Sequence, residues 1–280
     1  MTAANGPPTR PALIVPLDGS TQAELALAPA SQLADRLDAE LVLVTAAEAS
    51  HAERCDTYLD GQRGSVDRHA RSLVVVDRNP ADAIETCSRE GDALVCMTTH
   101  GRGALTASVL GSVAETVVRR AKSPVVLVGP RCRGDWQLGP APVLVAGFDG
   151  SDRSRAGVRA AGDFATALGG RVRVVEMFHR PDVVAVSRFN VDGVDVLEDA
   201  VGELRVTGVD ADYEVVDGLD PADVLIEIAI RDEASLVAVA THGRHGVARV
   251  ALGSVTTRLV RYSPVPVLVV CPDASVGSSA

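Results

Sequence analysis

The sequence predicts an α/β protein made of two tandem, doubly wound domains, each built on a five-stranded parallel sheet. Three observations lead there. Short motifs recur once, about 140 residues apart, which is too long a period for a solenoid and fits two domains. Apolar strand-length runs alternate with helical periodicity in each half, as parallel sheets with right-handed crossovers require. The apolar mass, 46 % of 280 residues with only 3 % aromatics, is Val, Ala and Leu, which suits strands covered by helices on both faces.

The repeat is legible residue by residue. Thr99-His100-Gly101-Arg102 recurs as Thr241-His242-Gly243-Arg244, and Leu110-Gly111-Ser112-Val113 as Leu252-Gly253-Ser254-Val255. Leu17-Asp18-Gly19-Ser20 matches Phe148-Asp149-Gly150-Ser151, and Asn79-Pro80-Ala81-Asp82 matches Asp220-Pro221-Ala222-Asp223. The last two offsets are shorter, so the second half carries insertions.

In the first half, Ala12–Leu17 reads as a strand ending at Asp18-Gly19-Ser20. Gln22–Leu37 then places Leu25, Ala26, Pro29, Leu33 and Leu37 at helical spacing, with Pro29 a kink. Leu41–Ala46 and Leu73–Val76 are the next strands. The stretch Glu48–Arg71 between them has room for only a short or irregular helix. Pro80–Glu90 is a helix with proline in its first turn, and Ala93–Thr98 a fourth strand. A glycine-bearing loop leads to a helix from Gly111 to Ala121, and Val125–Val128 completes the set. The second half gives strands Val143–Phe148, Val172–Met177, Ala211–Val216, Leu236–Ala240 and Val267–Val270. Its helices fall near Arg153–Leu168, Val194–Thr207, Pro221–Asp232 and Ser254–Tyr262. The expected domains are 11–129 and 142–272, joined by a Gly-, Pro- and Arg-rich linker at 130–141, with disordered ends at 1–10 and 273–280.

Composition narrows the function. A formal charge of −10 argues against a nucleic-acid surface but leaves room for a small phosphate ligand held by backbone amides. The polar, Pro-rich start carries no apolar core of a signal peptide, and no apolar run approaches the roughly 18 residues of a membrane span. Five cysteines (Cys55, Cys87, Cys96, Cys132 and Cys271) show no paired or metal-like spacing, as reduced thiols of a cytoplasmic protein would.

Three features carry candidate chemistry. In each half a glycine (Gly101, Gly243) is followed by nine residues and then Gly-Ser (Gly111-Ser112, Gly253-Ser254) at a helix start. Such a start offers amides and a dipole to an anion. Ser112-x-x-Glu115 also reads as a capping box; the second copy, with Thr257 in place of Glu115, keeps Gly-Ser without the box, which favours the phosphate reading. Asp18 and Asp149 end the first strands, where ligands of open α/β sheets bind. Each is either a ligand carboxylate facing the glycine loop or a turn-forming Asp. His100 and His242 read as loop structure rather than catalysis, because no nucleophile or carboxylate recurs with them. Arg102 and Arg244 stand within reach of a phosphate or in solvent. The P-loop, zincin and serine-hydrolase motifs are absent, and Tyr58, Trp136 and Tyr213 are too scattered for a base-stacking platform.

These residues resemble the universal stress protein family over nearly the whole chain. Its nucleotide-binding members carry G-x-x-G, nine residues, then G-[ST], and Ala121–Val128 and Ser263–Val270 look like its last strand. The resemblance implies flavodoxin-like layering with strand order 3-2-1-4-5 in each half, and ATP, with Mg2+ on its phosphates, across strands one and four. It implies that Asp18 and Asp149 contact the adenosine part, and that Ala46, Met177, Met97 and Val239 line the adenine slot. Gly101, Gly111, Ser112 and Val113, with Gly243, Gly253, Ser254 and Val255, would hold ribose and phosphates, with Arg102 and Arg244 nearby. It also implies that the last strands pair, joining the halves into an intrachain pseudo-dimer, and that the chain is a stress-response regulator with a protein partner and no membrane. The chain departs from the pattern at Thr98 and Ala240, which replace the motif's first glycine, and at Arg78 and Leu219. A family hydroxyl is present as Thr256 but replaced by Ala114, which favours the second half for the triphosphate. Two rival functions stay open: a slow ATPase, and a protein-interaction scaffold with vestigial loops.

Overall fold

A computed structural model describes residues 11–66, 70–88, 93–101, 110–179, 186–241 and 252–271. The chain divides into two compact units, Met1–Val128 and Gly129–Ala280.

The first unit runs β1 (Ala12–Pro16), α1 (Thr21–Glu24), α2 (Leu27–Arg36), β2 (Glu40–Ala47), a 3-10 turn (Ala49–His51), α3 (Ala52–Val66), β3 (Arg71–Val76), α4 (Pro80–Ser88), β4 (Leu94–Thr98), α5 (Ser112–Arg120) and β5 (Val125–Val128). Its strands lie in the order β3-β2-β1-β4-β5, all parallel. The second unit runs β6 (Val143–Phe148), α6 (Asp152–Leu168), β7 (Arg171–His179), α7 (Val186–Val206), β8 (Asp210–Gly218), α8 (Pro221–Arg231), β9 (Leu236–Ala240), α9 (Ser254–Tyr262) and β10 (Val267–Val270). Its order, β8-β7-β6-β9-β10, is again parallel throughout. The expected fold and strand order are both observed.

Central strands are buried residue after residue: Leu13, Ile14 and Val15 in β1, and Leu144, Val145 and Ala146 in β6. A strand buried on alternate residues would have one wet face; these have none, because helices cover both. In the second unit α6 brings Gly157 onto the Ala240 backbone from one side. From the other, Leu225 of α8 and Val239 close around Gly147. The connections of β1 and β4, and of β6 and β9, leave in opposite directions, which opens a crevice beyond their carboxyl ends.

Two local predictions need revision. The helix predicted at Gln22–Leu37 is broken at Leu25-Ala26, where the amides of Leu25 and Ala26 bond back three residues to Gln22 and Ala23. Pro29 lies in the first turn of α2, the helical place that tolerates a missing N–H, so the kink becomes a restart. The matching α6 has no proline and runs unbroken over 17 residues from a Ser151 cap to a left-handed Gly169. Glu48–Arg71, expected to hold little helix, contains the 15-residue α3. That helix buries only Leu59, and Gly61 and Gly64 meet nothing nearby, so it carries almost no apolar stripe to read. The 130–141 stretch read as linker has contacts of its own. Trp136, 5 % exposed, donates its Nε1–H to the Ser235 carbonyl at 2.9 Å, and the Arg133 amide bonds Pro264 O at 2.9 Å, docking the stretch on the second unit. Smaller shifts are at element ends, the largest at α7, which starts at Val186 rather than Val194.

Candidate functional site

The crevice of the first unit begins at the turn after β1. Gly19 adopts φ 79°, and Asp18 Oδ1 accepts from the Ser20 amide at 2.9 Å and the Ser20 hydroxyl at 2.6 Å. Ser20 Oγ in turn accepts from the Ala23 amide at 3.2 Å and caps α1. The second unit repeats the device: Gly150 at φ 77°, Asp149 Oδ1 accepting from Ser151 N–H at 3.0 Å and its hydroxyl at 2.6 Å, and Ser151 capping α6. The two readings of the aspartates are therefore compatible. One carboxylate oxygen builds the turn. The other oxygen of Asp18 lies against Gly101, so close that a Cβ at 101 would collide with it. The β1–β4 pairing thus brings Asp18 and Gly101 together across the switch point.

The Gly-Ser start is built alike in both units. The Gly111 amide donates to Thr99 O at 2.8 Å and the Gly253 amide to Thr241 O at 2.6 Å, closing each loop at its neck. A Cβ on Gly111 would stand 2.8 Å from that Thr99 oxygen, so glycine is needed for the approach. Gly111 and Gly253 are the N-caps of α5 and α9, and neither has a side-chain cap. The capping-box reading fails because Ser112 is the first helical residue, not the cap. The first helical bonds run from Glu115 N–H to Gly111 O and from Thr257 N–H to Gly253 O, both at 2.9 Å. The amides of Ser112, Val113 and Ala114, and of Ser254, Val255 and Thr256, precede them and have no intrahelical acceptor. With the helix dipole behind them, they form an anion-favouring end.

Two departures from the family pattern prove to be linked. In the first unit the Thr98 hydroxyl donates to His100 O at 2.9 Å, with Ala114 buried on the helix. In the second, Ala240 replaces Thr98, and Thr256, 2 % exposed, donates its hydroxyl to Ala240 O at 3.1 Å. Each unit spends one hydroxyl at the end of its fourth strand, supplied from opposite elements. Thr256 is thus a structural tie, and its hydroxyl gives no reason to favour the second half for a triphosphate. His100 is likewise tied, its Nδ1 2.8 Å from Thr99 Oγ1.

A cleft of about 490 Å3 opens between the ends of β1 and β2 and the helix α3. Asp18, Thr45, Ala46 and Ala47 line one side, and Glu48, His51, Arg54, Cys55 and Tyr58 the other. Thr45 turns its hydroxyl to Leu17 O at 2.7 Å. Ala46 lines this cleft, and Met97, 5 % exposed, is not among the residues lining it. Val239, 6 % exposed, packs with Leu225 about Gly147, so it is a core residue. Both occupy strands buried on both faces. Met177 lies half-buried with its sulfur beside Gly218. Arg102, Gly243 and Arg244, with His242, lie outside the described residues. The α3 residues were missed because only a short or irregular helix was expected there; once the 15-residue helix is drawn, 51, 54, 55 and 58 fall at helical spacing. Among the described residues no group of His, Cys, Asp and Glu is placed to hold a metal ion, and no helix is long and apolar enough to cross a membrane.

Comparison with known proteins adds four findings. A family model described as the universal stress protein family matches residues 11–129 and again 142–271. A universal stress protein of Mycobacterium tuberculosis is 33 % identical over 207 residues, covering 70 % of this chain and 67 % of that protein. One of Mycobacterium bovis is 29 % identical over 250 residues, 84 % of this chain and 83 % of the relative. The crystal structure of a universal stress protein from Archaeoglobus fulgidus shares the fold at a TM-score of 0.64, with 19 % identity over 93 % of this chain and 98 % of that one.

Proposed function

The chain belongs to the universal stress protein family, and from that premise we propose that it binds adenine nucleotides, one in each half, as a regulator rather than a catalyst. The observation that carries the reading is the paired helix start. Gly111-Ser112 and Gly253-Ser254 open α5 and α9 without a side-chain cap. Anionic ligands take such amides, and a self-contained helix would cap them. In the first half the Asp18 carboxylate and Gly101 lie across the same crevice, where a carboxylate accepts from ribose or base donors. The phosphates would rest on the Ser112–Ala114 amides, carrying any Mg2+ with them. In the second half Asp149 and Ser254–Thr256 would take the same parts. Occupancy then neutralises the amide ends of α5 and α9 and changes the surface there, a change a protein partner can read.

The test is to denature the purified protein and identify by mass the nucleotide it releases, with its stoichiometry. Near two ATP per chain is the expected result. One would single out a degenerate half. None, with no binding on adding ATP, would overturn the proposal in favour of a scaffold role. Sustained ATP turnover lost on changing Asp149 would make it an ATPase.

A further inference from the structure

We propose that α3 supplies a base-reading wall for the first nucleotide site, with Tyr58 as a fixed plane and Arg54 as a plane that closes over the ligand. The inference rests on the nucleotide reading above and concerns which end of the ligand this side of the cleft recognises.

His51, Arg54 and Tyr58 of the α3 segment line the cleft together with Ala46 and Ala47 at the end of β2. The lining thus combines planar side chains with small apolar ones, a set suited to a flat aromatic group. Tyr58 is held ready: its hydroxyl donates to Glu24 Oε1 at 2.9 Å, and Gln62, one turn further along, donates to the same oxygen at 3.1 Å. The ring is thereby tied to α1 before any ligand arrives. Arg54 is exposed and forms no ion pair among the described residues.

The charge distribution decides which end of a nucleotide belongs here. Asp18 borders the same cleft, so a phosphate on the α3 side would face its carboxylate, while Glu48 is paired with Arg78 at 3.6 Å. The anion-favouring amides are at the start of α5. The triphosphate therefore points to α5 and the neutral base to α3. A guanidinium is planar and weakly hydrated and stacks on an aromatic face, which an ammonium does not reproduce. Arg54 is then a specificity residue for the base, not a phosphate clamp.

The experiment compares ATP with ribose 5-triphosphate, which has the sugar and phosphates but no base, using titration calorimetry. The full chain carries Asp149→Ala and Gly253→Val to remove the second site. Arg54→Ala and Tyr58→Ala should each weaken ATP by about tenfold, the scale of a lost base-stacking contact, and leave ribose 5-triphosphate unchanged. Arg54→Lys should stay as weak as Arg54→Ala. Equal losses for both ligands would place Arg54 on the phosphates and overturn the proposal, as would rescue by lysine or no loss for either ligand. A second measurement needs no variant. Cys55 lines the same cleft, so ATP should slow its alkylation by iodoacetamide, mapped by mass, while ribose 5-triphosphate should not. Shielding by both or by neither overturns the wall. If the parent protein binds no nucleotide at all, the nucleotide reading fails and takes the wall with it. Binding by the parent with unaltered variants overturns the wall alone.

Discussion

Replacing Gly101 with alanine puts a methyl group where Asp18 Oδ2 stands, and the structure sets the size of the effect. Gly101 is not among the glycines with positive φ, so its backbone accepts a side chain and the conflict is steric. The carboxylate can give way only by turning, which sacrifices the Ser20 amide and hydroxyl bonds to Oδ1. Two such bonds are worth about 2 kcal/mol net. Alanine also stiffens the unfolded chain, returning about 0.4–1 kcal/mol. Gly101→Ala should therefore destabilise the first unit by about 1–1.5 kcal/mol and weaken its nucleotide site. In an Asp18→Ala background the obstacle is gone. There the same substitution should be neutral or stabilising by about 0.4–1 kcal/mol. The assay is a double-mutant cycle in urea, read by hydrogen exchange of the β1 and β4 peptides, with ATP affinity measured in parallel. An equal cost in both backgrounds would refute the Asp18–Gly101 contact.

Thr256→Val keeps the shape but removes the part-buried bond to the Ala240 carbonyl, so it should cost about 0.5–1.5 kcal/mol; Thr256→Ser should not, and equal stability of the two would remove the tie. Burial pushes the Cys132 thiol up to about 11, so its alkylation rate should keep rising through pH 9 and level off only near that value. An inflection in the ordinary cysteine range, about 8.5, would contradict it. Arg231 donates to Glu214 at 2.6 and 2.9 Å and to Asp232 at 2.8 Å, holding both carboxyls below their usual range. Depressed carboxyls contribute stability that is present above their unfolded values and is lost as pH falls through the folded ones. Arg231→Gln should thus lower stability at neutral pH and flatten its acid limb, and an unchanged acid limb would exclude the linkage.

Much of the candidate site was legible because it is local. Asp18-Gly19-Ser20 and Gly111-Ser112 are turns whose chemistry lies within a few residues, and the duplication marks them twice. The adenine slot was less legible. Alternation shows that Met97 and Val239 sit in buried strands, but not which side faces the crevice. The cleft wall of α3 was lost for the opposite reason: one buried leucine and two glycines leave no periodic stripe.

The sequence alone determined the two-domain α/β architecture, the order of elements and the turns at both strand ends, since these follow from periodicity and short-range hydrogen bonding. Tertiary structure decided what depends on residues far apart in the chain. Asp18 meets Gly101 only because β1 and β4 pair. Trp136 docks a stretch that composition marks as linker. Arg120 reaches Asp82 across α4 and α5, whereas Arg258, one helical turn earlier in its own copy, reaches the equivalent Asp223. No alignment of the halves pairs those arginines. A long side chain can start from either turn and arrive at the same carboxylate, because packing specifies where the charge must end rather than where it begins.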